Sequence, residues 1–171
     1  MLEVALVTFA RYGYRKTSME DVAQAAEISR PGLYFLFSSK QSLFQAAVTH
    51  ALDRDVEAAQ RALADGRRPL RDRLIEAFDL WTGRYIGAMA AEVALLRETN
   101  PDLLGPIVAE YPQRFAELVT DAIGAEDVAR TMLSTSVGIK HEVATREEFV
   151  ARMAVAVDLL LSALHKGEPT S

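Results

Sequence analysis

The sequence predicts an all-α protein. Apolar residues recur at spacings of three and four along nearly the whole chain, no stretch sustains the alternation of a half-buried strand, and helix-capping residues stand at the breaks between apolar runs. Half of the 171 residues are apolar and a quarter are charged, a globular balance far from that of disordered chains. A chain of this length buries one sizeable core or two modest ones.

The first helix carries Leu2, Leu6, Phe9 and Ala10 on one side and stops at Gly13, a natural carboxy-terminal signal. Within Thr17-Ser18-Met19-Glu20-Asp21, Thr17 is placed to cap a second helix and Glu20, three positions on, to return a bond to the cap's amide. Met19, Val22, Ala23 and Ala26 then make an apolar face only two turns long. Ser29-Arg30-Pro31 opens a third helix, with Ser29 as cap and proline in the first turn, where it is tolerated. Ser38-Ser39-Lys40-Gln41 starts a fourth, continued by Leu43, Phe44, Ala47, Val48, Ala51 and Leu52 toward Leu63.

Asp65-Gly66-Arg67-Arg68-Pro69 is the clearest break in the chain. Beyond it, Leu70, Leu74, Phe78, Trp81 and Tyr85 mark one helix, Asn100-Pro101 ends the following piece, and Pro106 and Pro112 are expected to kink or split the next. Gly124 closes that stretch. Two helices finish the chain, roughly 126–142 and one opened by Thr145-Arg146-Glu147-Glu148, a second cap-and-glutamate pair; their short junction predicts an antiparallel pair. The last holds Phe149, Met153, Val155, Val157, Leu159, Leu160, Leu161 and Leu164, apolar on more sides than one buried stripe requires. Either intrachain neighbours cover all of it or a second subunit covers part.

Charge divides unevenly. Residues 1–50 hold five Lys and Arg against four Asp and Glu, net +1, and residues 51–171 hold fourteen against twenty, net −6. Any nucleic-acid contact therefore belongs to the first fifty residues. A short helix, a tight turn and a second helix with a polar first turn is the geometry that lays a helix in a major groove, and residues 18–36 have that form. Ala23 is small where two helices cross, and Val22, Ile28 and Leu33 pin the crossing. Spacing alone fits an ordinary αα-corner equally well.

The motifs Phe9-Ala10-x-Tyr12-Gly13-Tyr14, Thr17-Ser18-Met19-Glu20-Asp21-Val22-Ala23 and Ile28-Ser29-Arg30-Pro31-Gly32-Leu33-Tyr34-Phe35-Leu36-Phe37-Ser38-Ser39-Lys40 closely resemble the DNA-binding domain of the TetR family of bacterial transcriptional regulators. The resemblance implies a three-helix helix-turn-helix domain over residues 1–48, a helical effector-binding and dimerisation domain over 49–166, and a tail over 167–171. It places Thr17 at the start of the second helix, where hydroxyl and free amides hold a phosphate with help from Ser18. Ser29, Arg30, Pro31 and Gly32 become the first turn of the recognition helix, with Arg30 reaching guanine and Pro31 meeting a thymine methyl. Tyr34 and Lys40 are implied as phosphate anchors, which fix register without reading sequence.

Three departures from the family pattern stand out. Glu27 occupies a position commonly held by glycine, and a left-handed conformation there would cost glutamate on the order of 1 kcal/mol. Leu36 stands where histidine or tyrosine is frequent, so one phosphate contact is expected to be lost. Relatives often carry a basic arm before the first helix, where this chain has hardly anything, which leaves open a missing arm.

By the same resemblance, helices after the fourth form a ligand-binding core and the last two pair with their mates in a dimer. The expected pocket residues are Phe78, Trp81, Tyr85 and Met89, on successive turns of one helix, faced by Tyr111, Phe115 and Met132; each would equally fill an ordinary core. Trp81 and Tyr85 join a large apolar face to a polar handle. The expected dimer residues are Val137, His141, Met153, Val157, Leu160, Leu161 and Leu164.

The chain contains no cysteine, which excludes disulfides and thiolate metal sites. His50, His141 and His165 have no partner in a ligand pattern, and no nucleophile elbow, dinucleotide fingerprint or phosphate loop occurs, so no metal, cofactor or catalysis is expected. Nothing approaches the ~20 apolar residues of a membrane span and no secretory signal is present, so a cytoplasmic location without membrane contact is expected. The partners expected are double-stranded operator DNA, a second copy of the chain and a small apolar or amphipathic effector that releases a repressor. The competing class is a helical adaptor binding only proteins, which would leave Arg30, Tyr34 and Lys40 without a task.

Overall fold

The computed structural model describes residues 1–87 and 101–166, and among these every regular element is helical. In chain order they are α1 (Leu2–Tyr12), α2 (Met19–Ala25), α3 (Arg30–Leu36), α4 (Lys40–Ala64), α5 (Leu70–Trp81), a 3-10 turn (Gly83–Tyr85), α6 (Pro101–Leu104), α7 (Ile107–Ile123), α8 (Glu126–Glu142) and α9 (Arg146–Lys166). The described residues divide into two compact units, 1–54 with 101–110, and 55–87 with 111–166, so that α4 contributes to both. No described helix is long and apolar enough to cross a membrane.

In the first unit, α1 ends at Gly13, whose φ of 82° suits a residue without Cβ and whose N–H closes the helix on the Phe9 carbonyl. The core of this unit joins Phe9, Val22, Leu33, Leu43 and Phe44, all without solvent exposure. Phe9 and Phe44 meet edge-on at 5.3 Å and the Tyr14 ring lies 5.0 Å from Phe44, the offset geometries aromatic rings prefer. The α2–α3 turn passes through Glu27 at φ 55°, the sole non-glycine residue with positive φ among those described. The suspected left-handed position is therefore real, and glutamate holds it at a steric cost. Glu27→Gly is expected to raise stability by up to about 1 kcal/mol, a rise of roughly 2–4 °C in the melting midpoint for a chain of this size.

The second unit is built on Leu74, Phe78, Phe115, Val119, Met132, Phe149, Met153 and Val157, all wholly buried. Arg146 clamps Asp79 with two bonds of 2.7 Å, and Arg71 clamps Asp158 at 2.6 and 3.0 Å, pinning α9 to α5 at two levels. The start of α9 is the box its sequence predicts: Thr145 Oγ1 accepts from the Glu148 amide at 3.1 Å, and Glu148 accepts from the amides of Ala144 and Thr145.

Three expectations about this unit change. The helix through Phe78 and Trp81 stops at Trp81, and Tyr85 belongs to the separate 3-10 turn. Gly83 marks the break: a Cβ there would fall 2.5 Å from Asp79 Oδ1 and 2.9 Å from the Phe149 ring, so backbone fills space that a side chain would need. Pro106 does separate α6 from α7, but Pro112 sits inside α7 without ending it. It lies in the second turn, where it removes the bond to the Val108 carbonyl, and buried Tyr111 and Phe115 hold the turns around it. Finally, Met153 and Val157 have no exposure within their own chain, so they are core residues and not surface for a partner.

Candidate nucleic-acid interface

The geometry of α2 differs by one residue from the expected cap. Thr17 is 2% exposed and its hydroxyl donates to the Gly13 carbonyl at 2.8 Å, which turns it away from the helix it was expected to open. Ser18 is the cap: its Oγ accepts from the Asp21 amide at 3.1 Å, and the Asp21 carboxylate takes the Ser18 N–H at 2.8 Å and its hydroxyl at 2.7 Å. These bonds hold the Asp21 carboxyl below its ordinary pKa, backbone bond first. Glu20 is thereby released from capping duty and points outward.

The α3 helix begins as its sequence predicts. Ser29 Oγ accepts from the Gly32 amide at 3.1 Å and Pro31 occupies the first turn. Leu33 alone of the seven residues is buried, and it fixes the orientation of all the others. Residues two places on either side of a helical position lie about 200° around the axis, so Pro31 and Phe35 form the ridge opposite Leu33. Phe35 is 89% exposed, Leu36 58% and Tyr34 44%. Arg30 and Tyr34, one turn apart, form the adjoining ridge, with the guanidinium 5.7 Å from the tyrosine ring centre. Ser29, Arg30, Pro31 and Tyr34 are thus exposed together and Gly32 is partly so. Phe35 was missed in the sequence, although its spacing from Pro31 and Leu33 was sufficient to place it.

Lys40 departs from expectation. Its Nζ donates to the carbonyls of Tyr14 and Thr17 at 3.0 Å each and of Arg15 at 3.5 Å, and lies 4.6 Å from the Tyr14 ring centre. It ties the α1–α2 connection to the start of α4 instead of standing free for a phosphate. A lysine near exposed carbonyls satisfies several acceptors at once, which the chain needs where α1 has ended and α2 has not begun.

Comparison with known proteins agrees with this geometry. Residues 1–47 match the model of bacterial regulatory proteins, tetR family. The chain is similar to TetR-family regulators. Its curated relatives include the HTH-type transcriptional activator FasR of Mycolicibacterium smegmatis, 31% identical over 126 residues that make up 72% of this chain and 55% of FasR. The probable acrEF/envCD operon repressor of Escherichia coli is 28% identical over 57% of this chain and 44% of its own. The chain spans about half the length of the curated relatives it matches. A TetR-like regulator from Rhodococcus sp. RHA1 superposes with a TM-score of 0.65 at 25% identity, covering 98% of this chain and 94% of that one.

Among the remaining candidate residues, Phe78, Phe115 and Met132 are wholly buried and Tyr111 is 5% exposed. Phe115 stacks on Trp81 at 4.9 Å and meets Phe78 edge-on at 5.3 Å, so these residues fill core. Trp81 and Tyr85 are half-buried. Tyr85 donates its hydroxyl to Asp55, a wholly buried carboxylate on α4 that also accepts from Arg84. Met89 lies outside the described residues. On α8 and α9, Val137 is 54% exposed, His141 is exposed, and Leu160, Leu161 and Leu164 are partly buried, the first two against the core. The outward apolar residues of α9 are instead Val155, 59% exposed, and Leu159, 66% exposed, one turn apart.

Proposed function

We propose that this chain acts as a homodimeric transcriptional repressor, binding operator DNA through α3 and leaving it when a small apolar or amphipathic molecule binds the second unit. The observation that carries the reading is the outer surface of α3: a guanidinium, a proline and two aromatic rings stand exposed on a helix whose one buried residue, Leu33, fixes their direction. An ordinary helix corner has no use for that much exposed apolar and cationic surface. Arg30 reads guanine, Pro31 and Phe35 lie against thymine methyls or sugars, and Tyr34 and Ser18 touch backbone. Thr17 and Lys40 support the same face from within through their bonds to carbonyls.

Dimerisation supplies the second recognition helix needed for two half-sites about one helical turn apart. The exposed Val137, Val155 and Leu159, with His141 at the rim, favour a surface on α8 and α9 for it. For the effector, half-buried Trp81 and Tyr85 offer an apolar face beside polar groups, and the bond from Tyr85 to Asp55 connects that turn to α4. An effector that binds better when the turn has moved would shift α4 by differential affinity and change the spacing of the two recognition helices. Repression is the outcome proposed, in line with the relative named as an operon repressor and unlike the one named as an activator.

The test is gel retardation on a duplex enriched by the wild-type protein from a random pool. Arg30→Ala is expected to lose about 1–3 kcal/mol of discrimination between that duplex and a scrambled one, with the circular dichroism spectrum unchanged. Unaltered selectivity would remove Arg30 from the reading.

A further inference from the structure

We propose that Glu20 is a positioning residue for sequence readout, its carboxylate drawing the Nε side of Arg30 by charge so that the Nη fork is left for a guanine edge. The inference rests on the DNA-binding reading above. The Glu20 carboxylate lies 3.6 Å from Arg30 Nε, with side-chain exposures of 63% and 59%. Capping does not require it, because Ser18 and Asp21 close the α2 box between them. Both side chains stand on the surface that α3 presents, so neither is drawn inward by burial.

An acid on such a surface repels phosphate. It is compatible with DNA binding where base edges approach and the backbone does not. Guanidinium carries five N–H donors in a fixed fork, and a carboxylate on the Nε side, in ion-pair contact at 3.6 Å, leaves the Nη edge for the O6 and N7 acceptors of guanine. The Tyr34 ring also lies beside the same group, with its centre 5.7 Å from Cζ. Two neighbours thus restrict a side chain that otherwise samples many rotamers, and a group ordered in advance loses less on binding. In the free protein an ion pair this exposed contributes little to stability. Its consequence appears in the groove, where a guanidinium released from Glu20 would settle on whichever phosphate is near and stop distinguishing sequences.

The experiment uses the full chain as wild type, Glu20→Gln, Arg30→Ala and the double variant. Dissociation constants are measured on the wild-type-enriched duplex and on a scrambled duplex of equal length. Glu20→Gln is expected to bind the scrambled duplex as tightly as wild type or more tightly, and to lower the specificity ratio about tenfold. The double variant is expected to discriminate no worse than Arg30→Ala alone, because Glu20 acts through Arg30. Unchanged melting midpoints and dichroism separate this from misfolding, with Glu20→Ala as a second exposed-site variant. A ratio untouched by Glu20→Gln while Arg30→Ala abolishes it overturns the inference and leaves the DNA-binding reading intact. Additive losses in the double variant also overturn it, since Glu20 would then act independently. Failure of the wild type to enrich any sequence sinks both readings together.

Discussion

Phe115→Ala is expected to lower the stability of the protein by about 3–5 kcal/mol, the cost of emptying a buried aromatic site that cannot fully collapse. Phe115 has no solvent exposure, and its ring stacks on Trp81 and meets Phe78 edge-on, so deletion removes two ring contacts as well as buried area. Urea denaturation followed by far-ultraviolet dichroism measures the loss directly. Phe115→Leu, which leaves a smaller void, is expected to lose clearly less. The pair of variants also distinguishes the two uses of this residue that the sequence left open: a residue lining an empty ligand cavity would give an unfolding free energy within about 1 kcal/mol of wild type.

Arg84→Ala is expected to cost about 3 kcal/mol or more, because it withdraws a guanidinium from the carboxylate of Asp55, which is wholly buried. The Tyr85 hydroxyl remains bonded to that carboxylate, but a neutral donor compensates a buried charge less well than a cation. Adding Asp55→Asn to Arg84→Ala is expected to recover part of the loss, since the group left inside then carries no charge. Thermal melting of the single and double variants checks both statements. A single variant that melts with wild type would mean that the Arg84 bond contributes nothing to holding the turn against α4.

What could be read from the sequence follows how local each determinant is. The end of α1 at Gly13, the Ser29-Pro31 start of α3, the break at Asp65–Pro69 and the Thr145/Glu148 box are each decided by a few adjacent residues, and each stands where the sequence placed it. The α2 cap was misplaced by one residue because Thr17 and Ser18 are equivalent as capping chemistry. Only the fold shows that the Gly13 carbonyl takes the threonine hydroxyl. Lys40 was assigned outward because a lysine at a helix start has no sequence mark of an inward partner, and its acceptors lie more than twenty positions away. Met153 and Val157 failed as surface residues for a related reason: α9 is apolar on two faces, and its packing against α5 and α8 decides which face stays inside. Tyr85 was misplaced because its spacing from Trp81 is helical, while Gly83 answers to Phe149, distant in sequence.

The inward commitment of Lys40 reaches beyond local packing. With it occupied, the basic side chains that the first fifty residues leave exposed are Arg11, Arg15, Lys16 and Arg30. If this unit docks on a duplex as proposed, Lys40 displaces no condensed cation of its own, so the salt dependence that these residues give to binding falls to the other four.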